Sequence, residues 1–196
     1  MNSRHAKSDA RLVRAYLAGD PKAFRKLYQR YERPLFAFLL RLVRERESAE
    51  DLFQQTWMKV ISGLKNYEER GTFSSWLFGI AYHGCVDHAR KASRNVKDDL
   101  KSGQGLDCLP GDASGPEEQM IQREKLQWLY RAIDQLPSEQ REVLLMRLNG
   151  EIPFREIAEI MQCPLNTVLG RMHYAVQSLK RMIPHESWEE KSHVLS

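Results

Sequence analysis

The stretch over residues 95–116 constrains this chain more than any other. It reads NVKDDLKSGQGLDCLPGDASGP, rich in glycine, aspartate, serine and proline and poor in large apolar residues. Such a stretch reads as a linker rather than a packed element. On both sides of it apolar residues recur at three- and four-residue spacing, and no useful length alternates with the period of a strand. The expected fold class is therefore all-α: two small helical domains joined by a flexible linker. The expected boundaries are 9–94 for the first domain, 95–116 for the linker, 117–182 for the second domain and 183–196 for a polar tail.

Helix ends and stripes place the first half. Asp20 can cap free amides and Pro21 suits the first helical position. Phe24, Leu27, Tyr28 and Tyr31 follow at helical spacing, and Pro34 is expected to kink or interrupt the run before Leu35 to Val43 continue it. Ser48 is expected to cap the next helix, with Glu50 and Asp51 at its positive end. Phe53, Trp57, Val60, Ile61 and Leu64 form its stripe. After a loop from Lys65 to Gly71, a third helix opens at Thr72 or Phe73 and runs to about Arg94. Leu77, Phe78, Ala81, Tyr82, Cys85 and Ala89 share its expected core face. Trp76, Ile80, His83, Asp87, Arg90, Lys91 and Arg94 share the other. That face ends in three cations, which suit phosphate; Trp76 and Ile80 are read as packing on a neighbouring helix.

Charge divides the chain the same way. Residues 1–94 hold 18 Lys and Arg against 10 Asp and Glu, residues 95–120 hold 2 against 6, and residues 121–196 hold ten of each. A basic first half points to a polyanionic partner. Three widely spaced cysteines, Cys85, Cys108 and Cys163, make no disulfide framework and fit a reducing compartment. No apolar run approaches the roughly 18 residues of a membrane span, and the polar start from Met1 to Asp9 carries no secretory signal. A cytoplasmic protein without membrane insertion is expected.

The sharpest local pattern lies near the end. Ser114 to Glu118 restart a helix with Leu126, Leu129, Tyr130 and Ile133 as its stripe, and Pro137-Ser138 begin another that ends at Asn149-Gly150. A short helix from Phe154 to Met161 then carries the small Ala158. A turn at Gln162 to Leu165 follows, and a second helix begins near Asn166-Thr167. Val168, Met172, Ala175 and Leu179 fall on one face of it. Thr167, Gly170, His173, Tyr174, Gln177 and Arg181 fall on the other, with Arg171 at the flank. A small residue lets two helices cross closely and frees the polar face of the second for a major groove.

The segment LPSEQREVLLMRLNGEIPFREIAEIMQCPLNTVLGRMHYAVQSLK resembles the second DNA-binding domain of bacterial sigma factors of the extracytoplasmic-function type. In the first half AFRKLYQRY, ESAEDLFQQTWMKV and GTFSSWLFGIAYHGCVDHAR resemble successive helices of the same family's other domain. The resemblance runs over roughly residues 9–182. It implies an alternative sigma factor, not an enzyme, that joins core RNA polymerase and directs initiation at promoters by reading their −10 and −35 elements. It implies polymerase contact through Asp51, Gln54, Gln55 and Met58 to a coiled coil of the largest subunit, with a second contact at the flap region. For the −10 element it implies Asn66, Tyr67, Arg70, Phe73, His83, Arg90, Lys91 and Arg94. For the −35 element it implies Thr167, Gly170, Arg171, His173, Tyr174, Gln177 and Arg181. An anti-sigma factor is a further implied partner, and no cofactor or metal is called for. The chain departs from the family pattern at His83, where asparagine is common, and at Asn166, where glycine is usual. Leu169 and Gly170 stand where polar or basic residues are frequent.

Two rival readings differ in class. A helix-turn-helix regulator that is no polymerase subunit would need a sensory pocket or phosphoacceptor, and the basic helical first half offers neither clearly. An enzyme could be built on His83, Cys85, Asp87 and His88. Metal ligands must converge on a point, however, and Cys85 falls on the core side while His83 and Asp87 face away.

Overall fold

A computed structural model describes residues 2–67, 71–95 and 126–182, without the side chains of residues 2–7, 94 and 95. The helices are α1 (Asn2–Leu17), α2 (Pro21–Val43), α3 (Arg46–Gly63), α4 (Phe73–Asn95), α5 (described over 126–134), α6 (Ser138–Asn149), α7 (Phe154–Ile160) and α8 (Leu165–Met182). A single 3-10 turn, Leu64–Asn66, follows α3. Among the described residues there is no strand. The chain is all-α, as its periodicity implies. The linker and tail expected over 95–116 and 183–196 lie outside the described residues, apart from the backbone of Asn95.

Local chemistry explains the first module. The Asp20 carboxylate accepts from the Lys22 amide at 2.9 Å and Pro21 opens α2. Pro34 neither breaks nor ends the helix, which runs unbroken past it to Val43; packing on both sides outweighs the one lost bond. α2 stops at Arg44, whose φ of 60° turns the chain in the left-handed region. α3 begins at Arg46, two residues before the expected cap, and Ser48 instead donates its hydroxyl to Glu45. Phe24 and Tyr28 of α2 meet Trp57 of α3 with ring centroids 5.8 and 4.9 Å apart. Phe38 of α2 meets Phe78 of α4 edge to face at 5.1 Å, both fully buried. Ile61 and Ala89, expected in the core, are exposed.

Sequence patterning gave no hint of what fixes α1. Asp9 is 1% exposed, pairs with Arg30 and accepts the Tyr31 hydroxyl at 2.5 Å. Burial, then this bond to a carboxylate, pushes the Tyr31 phenol far above its ordinary range. A buried charge tolerates such a site only when it is paired and hydrogen-bonded.

In the second module Ile133, Leu145, Met146, Ile152, Val168 and Ala175 form the buried centre. Arg141 is largely buried and donates to the carbonyl of Leu136 at 3.2 Å, which pins the turn between α5 and α6. Burial holds its pKa below the usual value.

Candidate nucleic-acid interface

α7 and α8 form a helix-turn-helix. Gln162 takes a φ of 51°, and the Cys163 amide closes the turn on the Ala158 carbonyl at 3.0 Å. Ala158 is buried at this crossing. Pro164 offers its carbonyl to Thr167 and Val168, so α8 starts at Leu165, one residue before the expected start. Val168, Ala175 and Leu179 are buried and Met172 is half-buried. Thr167, His173, Tyr174, Gln177 and Arg181 stand exposed on the opposite side, with Gly170 half-buried among them. The Gln177 amide nitrogen lies 2.9 Å from His173 Nε2, which holds the amide in one orientation. Arg171 is held differently: its guanidinium pairs with Glu139 of α6 at 2.9 Å and donates to Cys163 Sγ at 3.7 Å.

The second candidate surface is the α3–α4 corner. Tyr67, Phe73 and Trp76 form an aromatic cluster with centroids 4.8 to 6.1 Å apart. Gly63 lets the Trp76 indole close on the end of α3, since a Cβ there would sit 3.1 Å from Trp76 Cζ2. Asn66 is exposed at the lip and Tyr67 is half-buried. Phe73 is 2% exposed against Tyr31, Tyr67 and Trp76, so it shapes the wall from behind and offers no ring face outward. Arg70 lies outside the described residues. Farther along α4, His83, Arg90 and Lys91 are exposed. Arg90 meets Asp87 only at 3.8 Å. Arg94 sits in the last turn of α4, and its side chain is outside the described residues. Trp76 and Ile80 pack against the core. Cys85 is buried while His83 and Asp87 are exposed, so these groups do not converge. Burial pushes the Cys85 thiol up to about 12, which leaves it protonated and unreactive at neutral pH.

On α3, Asp51, Gln54, Gln55 and Met58 all project outward, and Met58 is 72% exposed. Ile61 stands beside them at 46%.

Polar contacts join the two modules across the α3–α4 corner. The Thr72 amide and hydroxyl both donate to Glu156 Oε2 of α7 at 3.1 Å, while the same hydroxyl caps the Ser75 amide. A carboxylate from the second module therefore covers the positive end of α4. The Tyr82 hydroxyl donates to Glu142 at 3.1 Å. Burial raises the pKa of both groups. Arg41 stacks over the Tyr130 ring at 3.6 Å and pairs with Asp134 at 3.3 Å. Gly79 of α4 lies against Ile160 of α7. Thr72 marked a helix start in the sequence, but neither Glu142 nor Glu156 stood out, because a lone polar residue on a helix carries no period.

Comparisons with known proteins agree with this geometry. A family model of sigma-70 region 2 matches residues 27–95, and one of sigma-70 region 4 matches residues 126–179. Together they span more than half of the chain. The RNA polymerase sigma-H factor of Pseudomonas aeruginosa is 27% identical over 180 residues, covering 89% of this chain and 93% of its own. The ECF RNA polymerase sigma-E factor of Escherichia coli is 27% identical over 181 residues, covering 90% and 94%. Among solved structures, the sigma factor RpoE of Bartonella quintana, in complex with the anti-sigma factor NepR, matches with a TM-score of 0.67 at 24% identity. That match covers 82% of this chain and 96% of that one. CnrH, in complex with the cytosolic domain of CnrY, matches with a TM-score of 0.60 at 18% identity, covering 89% and 96%.

Proposed function

The chain belongs to the sigma-70 family and is an alternative sigma factor of the extracytoplasmic-function type, which directs RNA polymerase in transcription initiation; from that premise we propose how its two modules divide the promoter. Residues 9–94 join the polymerase and read the −10 element, and residues 117–182 read the −35 element. The observation that carries this division is the exposed row His173, Tyr174, Gln177 and Arg181 on a helix whose other face is buried. A helix so placed fits a major groove, and an oriented glutamine amide can pair bidentately with adenine.

At the −10 element the aromatic corner supports capture of unstacked bases. Asn66 and Tyr67 stand at its rim, while Phe73 supports the wall from the core. His83, Arg90, Lys91 and Arg94 line the route the backbone would follow. Base stacking on aromatics contributes about 1–3 kcal/mol per base, enough to offset a flipping cost of a few kcal/mol. The row Asp51, Gln54, Gln55 and Met58 takes the coiled coil of the polymerase's largest subunit, and the second module takes the flap region.

Distance then requires the modules to part. Elements named for positions −10 and −35 lie about 25 base pairs apart, or about 85 Å of duplex at about 3.4 Å per pair. A compact module of about 80 residues is only about 30 Å across. Two touching modules cannot serve both elements, and here Glu156 is also bound at the start of α4, next to Phe73. The chain between residues 95 and 126 can reach about 100 Å when extended, so separation needs no break. Polymerase can bind first, since the α3 row is exposed while the modules touch. By likeness to RpoE, whose structure holds the anti-sigma factor NepR, an inhibitory protein is a further partner of this chain. A pull-down recovering only polymerase while the factor is silent would contradict that part.

Reading and anchoring can be separated by transcription from a library randomised across the −35 element at several salt concentrations. Gln177→Ala or Tyr174→Phe is expected to relax the preference at one base position, corresponding to about 1–3 kcal/mol of discrimination. Arg181→Ala is expected to weaken all promoters alike and to flatten the salt dependence by about one unit of slope. Arg171, already paired with Glu139, positions α8 against α6, so Arg171→Ala should leave the preferred sequence unchanged. A shifted preference in the arginine variants, with none in those at 174 and 177, would reverse the assignment.

A further inference from the structure

Glycine is the poorest helix former after proline, so a glycine inside a helix calls for a reason. Four described glycines lie within helices, and three have one. A Cβ at Gly63 would press on Trp76 at 3.1 Å, one at Gly79 on Ile160 at 3.5 Å and one at Gly84 on Leu52 at 3.4 Å. Gly170 differs from these. A Cβ there would meet nothing within 4 Å, and its backbone is not in the left-handed region. Among the described residues neither packing nor conformation asks for glycine at this position.

Its place on α8 supplies the reason. Asn166, Gly170, His173, Gln177 and Arg181 follow one another at intervals of four, three, four and four, which is a single row along the helix. Every other member of that row is exposed. The row thus carries a side-chain-sized notch between Asn166 and the His173–Gln177 pair, on the exposed face of α8.

We propose that Gly170 is the point of closest approach between α8 and the −35 duplex, where the missing side chain lets the helix backbone come into contact with the groove. This rests on the reading of α8 as the −35 recognition helix. Any side chain at 170 would hold the whole row away from the base edges that Tyr174 and Gln177 are to meet. The position therefore sets specificity through distance and makes no polar contact of its own.

Gly170→Ala and Gly170→Leu test this, because both residues favour a helix more than glycine does. Each should raise the unfolding temperature of the free protein by a few degrees. In holoenzyme, transcription from a promoter with an intact −35 element should fall about tenfold for alanine, the scale of one lost base contact, and further for leucine. Transcription from the same promoter with a scrambled −35 element should fall less, since only sequence-independent contacts such as that of Arg181 are then weakened. Stabilised variants that transcribe the intact promoter as well as wild type would overturn the proposal. So would variants that unfold at a lower temperature, since the chain itself would then need the glycine. Failure of the underlying reading looks different: the unsubstituted holoenzyme would not distinguish the intact from the scrambled element.

Discussion

Joining α4 to α7 by a disulfide is expected to cut promoter-specific transcription about a hundredfold when about 99% of the protein is locked, and reduction is expected to restore it. The sites are Gly79→Cys and Ile160→Cys, with the three native cysteines replaced to leave one possible bridge. A Cβ built at Gly79 lies 3.5 Å from Ile160 Cγ1, so the two positions are in direct contact, which a bridge requires. The oxidised protein should still bind core polymerase, because Asp51, Gln54, Gln55 and Met58 are exposed while the modules touch. Full transcription by protein that is bridged on a non-reducing gel would show that the modules need not part. Loss of polymerase binding as well would place the polymerase contact nearer to α7 than the α3 row.

The other large effect is on stability. Phe78→Ala is expected to destabilise the chain by about 3–5 kcal/mol, the usual cost of emptying a buried aromatic site. Phe78 is fully buried, and its edge-to-face partner Phe38 joins α2 to α4. Against a total of about 5–15 kcal/mol for an ordinary domain, that loss leaves little. Urea unfolding followed by helical circular dichroism measures it. A change below about 1 kcal/mol would mean that the α2–α4 crossing collapses around the gap and does not depend on this ring pair. Ile61→Ala serves as the contrast: the side chain is 46% exposed, so stability should move by no more than about 0.5 kcal/mol.

What could be read from the sequence follows from what leaves a period. The helix starting at Pro21, the turn around Gln162 and the buried row Val168, Ala175 and Leu179 all came from spacing or from residues with a fixed backbone preference. The exposed face of α8 followed as the complement of that row. Spacing could not separate a residue that faces its own module from one that faces the other. Tyr82 was placed in the core, and it does turn inward, but its hydroxyl ends on Glu142 of the second module. The resemblance implied Phe73 for the −10 element without showing that three rings enclose it. Ile61 fits the apolar stripe of α3 by number, although the stripe is narrower there than the helix is wide.

Polar anchors were the least legible part. Asp9 looked like one more charge in a solvated start, because its partners Arg30 and Tyr31 lie more than twenty residues away. Glu156 and Thr72 are 84 positions apart, and no local rule links a carboxylate on one helix to the first turn of another. Pro34 differs in the opposite sense: it was expected to kink or interrupt α2, and the helix continues through it because packing on both flanks carries a residue that disfavours helix locally.

The division of labour proposed for the two modules is tested most directly by transcription in vitro from a library of genomic fragments, with core polymerase alone and with this protein added, mapping every start site. New start sites are expected only in the presence of the protein, each preceded by the same two sequence elements at one spacing, while the isolated protein binds those fragments only weakly in gel shifts. The contradicting result is an unchanged set of start sites together with tight, sequence-specific binding of duplex DNA by the protein alone.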